Sequence, residues 1–539
     1  METMTDASTG CRLIGATELN NLLQGDDEIA LLDAREELSF GQAHILYASC
    51  LPLSRLELLA VAMVPRKRTR IVVCDGGEGF AERAAKRLVQ FGYQDVSVLD
   101  GGVEAWRQAG LEIFSGVNVP SKAFGEYIEI EYRTPSVSAD ELKEMMDKGE
   151  DMVILDSRPM VEYHARNIPS GICVPGAELA YRVHDIAPSA DTLVVVNCAG
   201  RTRSIIGAQS LINAGVENRV VALRNGTMGW HLAGHGLEHG MQRDARDTSQ
   251  QGLAAARAAA ARVAEHFEVR SIDHATLDEW RARQAERSLY VFDVRHPDEY
   301  EAGHLPGSRS APGGQLVQET DHFIATLRSR VVLVDDTGVR ATMTASWLNQ
   351  MGWPEVAVLD NAFEDVELAR GPEAVEVLGL DEAPADAIGV AELDALLRRQ
   401  QVSVVDLGFS RAYRAGHIPS AWFMTRARLA QCMPAVHKRG RLVLTSSDGV
   451  LARIAAAEAA ALTDEPVQAL AGGTNAWIAA GMDVTTGAEH LADVANDVWL
   501  RPYEKDWGVE DSMREYLTWE VGLVEQLERD GTARFRPRR

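Results

Sequence analysis

The chain is poor in the features that would assign it to a special class. It has only six cysteines in 539 residues: Cys11, Cys50, Cys74, Cys173, Cys198 and Cys432. No two form a CxxC pair, so neither a disulfide framework nor a zinc cluster is expected. Basic charge is scarce. Lys and Arg total 54 against 79 Asp and Glu, a net charge of −25. That balance argues against a partner rich in phosphate, whether nucleic acid or anionic membrane. No apolar run approaches the roughly 18 residues needed to cross a bilayer. The first residues, METMTDASTGCRLIGATELNNLL, lack a basic stretch and an apolar core, so no export signal is expected. A reduced, cytoplasmic setting is the default expectation. The composition is 46% hydrophobic and 25% charged, which is ordinary for globular protein.

Internal repetition is plentiful. Four short apolar runs each end in an aspartate: Asp33, Asp156, Asp293 and Asp406. Eleven residues after each stands His44, Asn167, His304 or His417. A second apolar run leads, 42 residues after the first three aspartates, to Asp75, Cys198 and Asp335. The fourth copy has Ser446 at 40. A third run ends in Gly101-Gly102, Asn225-Gly226, Asn361 or Gly472-Gly473. Five residues beyond the first member come Trp106, Trp230 and Trp477, with Val366 in the third copy. The runs are short and β-branched, as in strands buried on both faces. Helical patterns closed by glycine lie between them. The class is therefore α/β: four tandem units, each a mainly parallel sheet flanked by helices.

The expected boundaries are 11–115, 132–240, 267–370 and 386–486, followed by a helical tail over 487–539. Residues near 116–131 read as a polar connector, 241–266 as a polar stretch turning into an Ala/Arg helix, and 371–386 as an acidic linker. The tail is expected to pack on the fourth unit.

In a parallel α/β sheet, sites form beyond the carboxyl ends of strands. The second unit has Cys198-Ala199-Gly200-Arg201-Thr202-Arg203-Ser204 at such an end. A helix N-terminus offers unpaired amides and partial positive charge, and loop amides can form an anion nest. With Arg201 and Arg203 added, thiolate is favoured over thiol. A free thiol of pKa about 8.5 is only about 3% ionised at pH 7. Lowering that pKa by about two units needs about 2.7 kcal/mol. Cys198 is thus a candidate nucleophile. A buried, inert cysteine is the bland alternative.

These residues carry a resemblance. The Asp156-Ser157-Arg158 segment, the His-Ile-Pro element, the CAGRTRS loop and the closing Gly-Gly…Trp resemble the rhodanese family of sulfurtransferases, over about residues 11–487. The resemblance implies that Cys198 takes a sulfane sulfur, forms a persulfide and passes it on, a ping-pong scheme. It implies a small donor such as thiosulfate or a persulfide, a thiol or cyanide acceptor, and no cofactor or metal. It casts the amides of 199–204 as a cradle and Arg201 and Arg203 as stabilisers of the donor, with Asp156 and Arg158 as their supporting shell. Related phosphatases place Arg six residues after Cys; here Arg203 follows by five, which suits a single sulfur atom.

The other units depart from the pattern. The first has Asp75 and Phe80, the third Asp335 with Arg340, the fourth Ser446 and Leu451. All three are expected to be silent. The rival reading is a sulfur sensor, carrier or protein-binding scaffold, and a protein partner is left open. Cys74 should be a buried strand residue facing away from the site, and Cys173 is a candidate resolving thiol. His231, His235 and His239 recur every four residues, but interrupting glycines argue against a metal site. Asn167 is expected to fix a loop.

Overall fold

A computed structural model of the chain describes residues 12–384 and 386–538. Cys11 lies outside them. The second unit shows how each repeat is built. Its sheet runs Ser136–Val137, Val220–Leu223, Leu193–Asn197, Met152–Asp156, Ile172–Cys173 across, all parallel. Leu193–Asn197 is central and buried throughout, so its unbroken Leu-Val-Val-Val run fits a strand covered on both faces. Helices Ala139–Lys148 and Gly226–Leu232 cover one face. Leu179–Ile186 and Thr202–Asn213 cover the other. Ser138 and Glu141 form a capping box that starts the first of these helices. The third and fourth units repeat the five-strand order.

The repeated histidines and tryptophans are structural. His44, His304 and His417 each place Nδ1 against the carbonyl four residues earlier. Asn167 instead donates to the Ile168 carbonyl and to Glu238. Trp106, Trp230 and Trp477 are buried and donate their indole N–H to carbonyls six residues on.

Two expectations about the joining segments need correction. The first connector is not a polar strand of loop but the helix Val119–Tyr132. Phe124 and Ile128 on it are fully buried in the third unit's core. Its charged residues are used internally rather than solvated, which is why it reads as polar. The tail divides. Its first part does pack on the fourth unit, with Leu491 against that core, Asp497 accepting the Ser410 amide at 2.6 Å and Glu504 paired with Arg411 at 2.7 Å. The helix Val509–Asp530 lies elsewhere. It packs along the connector helix through Leu523 and Leu527, and against Ala199 and Met228 of the second unit through Met513 and Leu517. The acidic linker contributes Leu378 to the first unit's core. The expected Ala/Arg helix is present as Gln250–His266, capped by Ser249.

The units interlock. Thr326–Leu327, from the third, pairs antiparallel with Ile29–Asp33 of the first. Arg426 of the fourth grips Glu57 of the first. Arg340 of the third reaches Glu178 of the second at 2.9 Å.

Candidate active site

Strand Leu193–Asn197 ends at Cys198, and helix Thr202–Asn213 begins four residues later. The intervening turn is pinned from below. Thr227 and Met228 donate their amides to the carbonyls of Cys198 and Ala199, at 2.8 and 3.0 Å. Gly226 has φ +53°, and a Cβ there would meet the Cys198 carbonyl oxygen at 2.3 Å. Gly102 and Gly473 make the same close approach to Asp75 and Ser446. This is the physical reason for the closing glycine of the repeat.

Cys198 is buried, with Sγ 3.5 Å from Ser204 Oγ. Ser204 in turn donates to the Arg201 carbonyl. Burial raises the Cys198 thiol above its ordinary range, opposed by Arg203 and by the Ser204 hydroxyl and amide. Glu520 adds to the rise. The expected lowering of this thiol therefore does not hold in the resting site. The sequence reading counted the arginines and the helix end but not the desolvation, and not a carboxylate brought in from the tail.

Both loop arginines are already paired. Arg203 donates to both Glu162 oxygens at 2.8 Å and to Gln315 at 3.2 Å. Arg201 holds Glu126 at 2.6 and 2.7 Å, Asn225 at 3.1 Å, and Glu129. Neither closes on Asp156 or Arg158. Those two pair with each other at 2.8 and 2.6 Å, and Asn197 donates to the same carboxylate at 2.9 Å. Arg158 also donates to the Arg166 carbonyl. They fix the strand end one layer behind the loop, as Asp33–Arg35 and Asp293–Arg295 do in the first and third units.

The sister loops show what this turn binds. In the first unit, Asp75 Oδ1 accepts the Gly77 amide at 2.8 Å, and Oδ2 accepts those of Phe80 and Ala81 at 2.7 and 3.0 Å. In the third, Asp335 accepts the amides of Gly338 and Arg340 at 2.7 and 2.9 Å. In the fourth, Ser446 Oγ accepts the Ala452 amide at 3.3 Å. By position these amides correspond to Gly200, Arg201, Arg203 and Ser204. The turn is an anion cradle, and two copies fill it with their own carboxylate.

Much of the pocket wall around Cys198 comes from outside the repeats, with Gln318 and Glu319 added by the third unit. Lys122, Tyr503, Tyr516 and Glu520 line the same small pocket as residues 198–203. Lys122 is buried, donates to the Val117 carbonyl at 2.5 Å and faces the Tyr516 and Trp519 rings. Burial pulls its ammonium down to about 8. Glu520 accepts the Thr202 hydroxyl at 2.7 Å through Oε1, and burial raises its carboxyl. The sequence reading missed these residues, since they sit on non-repeated segments. Glu162 did carry a signal. It lies six residues after Asp156, Glu299 lies six after Asp293, and these are the two units whose loops keep the arginine; Arg340 pairs with Glu299 at 2.8 Å.

Cys173 does not face Cys198. Its Sγ is 3.4 Å from the Arg158 carbonyl, its thiol is pushed up to about 12 by burial, and it lines a different cavity. Cys74 is fully buried among Ile14, Val72 and Trp106, facing away from the loop as expected. The three histidines after Trp230 do not act together. His235 bonds Asp140 and His239 the Ala165 carbonyl. Glu178, His296 and Glu299 could together reach a metal ion, but the Arg340 guanidinium already sits on both carboxylates, at 2.9 and 2.8 Å.

Comparison with known proteins agrees with this architecture. The rhodanese-like domain model matches residues 15–109, 138–233, 276–369 and 389–480. A crystal structure of thiosulfate sulfurtransferase from Pseudomonas aeruginosa is 50% identical, with a TM-score of 0.95 over 98% of this chain and 100% of that one. An uncharacterized Synechocystis protein is 32% identical over 114 residues, 21% of this chain; the match spans 63% of that protein's own length. The thiosulfate sulfurtransferase GlpE of Pseudoalteromonas translucida is 28% identical over 83 residues, 15% of this chain and 75% of GlpE. The chain, with its parallel sheet and strand-end cradle built four times over, belongs to the rhodanese family.

Proposed function

We propose that the protein is a sulfurtransferase with one working site, Cys198, and three silent rhodanese-like units. The Cys198 thiolate attacks the sulfane sulfur of thiosulfate. A Cys198–sulfur bond forms, the S–S bond of thiosulfate breaks, and sulfite leaves with its electron pair. Cyanide or a thiolate then attacks the outer sulfur, and Cys198 departs as thiolate. A small persulfide serves as donor in the same way, with a thiolate as leaving group. Two sister loops carry the reading. Where Asp75 and Asp335 place a carboxylate among the loop amides, the second unit has a sulfur atom, and its persulfide anion would receive the equivalent amides. Charge-assisted bonds of that kind are roughly twice as strong as neutral ones, and they oppose the burial that raises the resting thiol. The name of the Pseudomonas aeruginosa structure supports the same chemistry. A reducing cytoplasm suits a site that depends on a free thiol.

Intact mass after incubation with thiosulfate, then with cyanide, tests this in wild type and Cys198→Ser. The expected result is a gain of one sulfur that cyanide removes and that the variant never acquires. Sulfur that loads but resists both cyanide and thiols would favour a carrier or sensor. A wild type that never loads overturns the proposal.

A further inference from the structure

A second cavity, of about 490 Å³, adjoins the Cys198 pocket. The two share Val117, Asn118, Glu319, Trp499, Arg501 and Tyr503 as walls. Every structural part of the chain contributes to it: Glu37 from the first unit, Glu162 from the second, His322 from the third, Arg411 from the fourth, and Tyr503 from the tail. Thiosulfate is far too small to need such a space. Sites for small organic molecules run roughly 300–1,000 Å³.

The charges of its wall are almost all matched. Glu162 is held by Arg203 at 2.8 Å and Arg501 at 3.4 Å. Glu504 is held by Arg411 at 2.7 Å, and Arg158 by Asp156 at 2.6 Å. Glu319 lies 3.9 Å from Arg501, and Glu37 accepts the Trp499 amide at 2.8 Å. Among the cations of the wall, Arg166 is the exception. Its guanidinium lies over the Tyr503 ring, 4.1 Å from the centroid, and among the described residues no carboxylate is within ion-pair distance of it. One face of the cation is thus covered while its in-plane donors remain unspent. A fork of that shape matches a carboxylate edge-on.

We infer that this antechamber binds the body of a carboxylate-bearing low-molecular-weight thiol, Arg166 taking a carboxylate while the sulfur enters the Cys198 pocket. The inference rests on the sulfurtransferase reading. The acceptor loses its thiol proton to water, and its thiolate attacks the outer sulfur of the Cys198 persulfide. The new S–S bond forms on the acceptor, the bond to Cys198 breaks, and the electron pair returns to Cys198. The product is the acceptor's own persulfide, and no external oxidant or reductant is consumed.

Glutathione, which carries two carboxylates, and 2-mercaptoethanol, which carries none, are compared as acceptors from the thiosulfate-loaded full chain. Wild type should prefer glutathione in kcat/KM, and Arg166→Ala should cut that preference at least tenfold, mainly through KM for glutathione. Arg166→Lys should give an intermediate value and serves if the alanine variant fails to fold. A calorimetric titration of Cys198→Ser with S-methylglutathione reads binding without turnover, and the added Arg166→Ala change should weaken it at least tenfold. An unchanged preference together with unchanged binding overturns the antechamber while leaving cyanide turnover, and with it the sulfurtransferase reading, intact. Absence of sulfur loading in wild type together with binding that ignores Arg166 overturns both, whereas binding that responds to Arg166 without any loading overturns the sulfurtransferase reading alone.

Discussion

Thr202 donates its hydroxyl to Glu520 at 2.7 Å across 318 residues of chain. The bond, made to Oε1, ties the first residue of the helix behind Cys198 to the tail helix, and Glu520 Oε2 is buried without a hydrogen-bond partner. Thr202→Val keeps the shape and removes the bond, leaving a buried carboxyl without its main partner. A cost of about 1–3 kcal/mol follows. The tail should loosen over the pocket, so iodoacetamide should alkylate Cys198 several times faster. Thermal unfolding and mass-monitored alkylation check the pair of effects; an unaltered alkylation rate would show that the tail does not guard the cysteine.

Arg203 is held in a two-pronged pair with Glu162 that lysine cannot reproduce. Arg203→Ala leaves Glu162 with Arg501 alone and should destabilise the protein by about 2–4 kcal/mol. Adding Glu162→Gln should recover most of that stability and none of the lost thiosulfate turnover. Denaturant melts alongside steady-state kinetics separate the two. Recovery of turnover in the double variant would make Arg203 purely structural.

Asp75 binds three amides in the first unit, and on the proposed reading it fills the cradle rather than reacts. Asp75→Ala should cost about 1–3 kcal/mol, with sulfur loading at Cys198 within a factor of two of wild type at temperatures where both are folded. A thermal melt and the loading assay suffice. Strong loss of loading in the folded variant would mean that the first unit takes part in transfer.

Glu36 is buried, and desolvation pushes its carboxyl up to about 7. Its folded form binds a proton more tightly than its unfolded form. The stability this gives is present below about pH 4.5 and is lost as pH rises through about 7. Glu36→Gln removes the cost of ionising the group. It should therefore stabilise the protein by on the order of 1–3 kcal/mol at pH 8 and make little difference at pH 4.5. Melting temperatures at the two pH values decide it; an equal shift at both would rule out ionisation as the cause.

The repeated part of the molecule was legible in the sequence because it was written four times. Constant offsets placed Asp156, Asn167, Cys198, Gly226 and Trp230 relative to one another, and Asp156, Cys198 and Gly226 lie at strand ends or a helix start. The loop's charge partners were not legible. Glu126, Glu129, Lys122 and Glu520 lie on segments that occur once, where an amphipathic pattern shows that a face is buried but not what it meets. The same blindness produced the expectation of a lowered Cys198 thiol, since burial and a distant carboxylate leave no mark on the local sequence. The resemblance cast Asp156 and Arg158 as the shell that supports the loop arginines. The bidentate geometry available two residues apart at a strand end instead pairs them with each other.

The two-residue strand Thr326–Leu327 has a consequence for how the protein is made. It lies against Ile29 and Ala30 of the first unit, so that edge stays open until the ribosome has passed the third unit. At roughly 5–20 residues per second, the wait is on the order of a quarter of a minute to a minute. An unpaired edge is a template for other chains. Nascent copies on one message should therefore be most prone to exchange strands in this interval, and faster elongation or a bound holdase should raise the yield of chains that pair this strand within themselves.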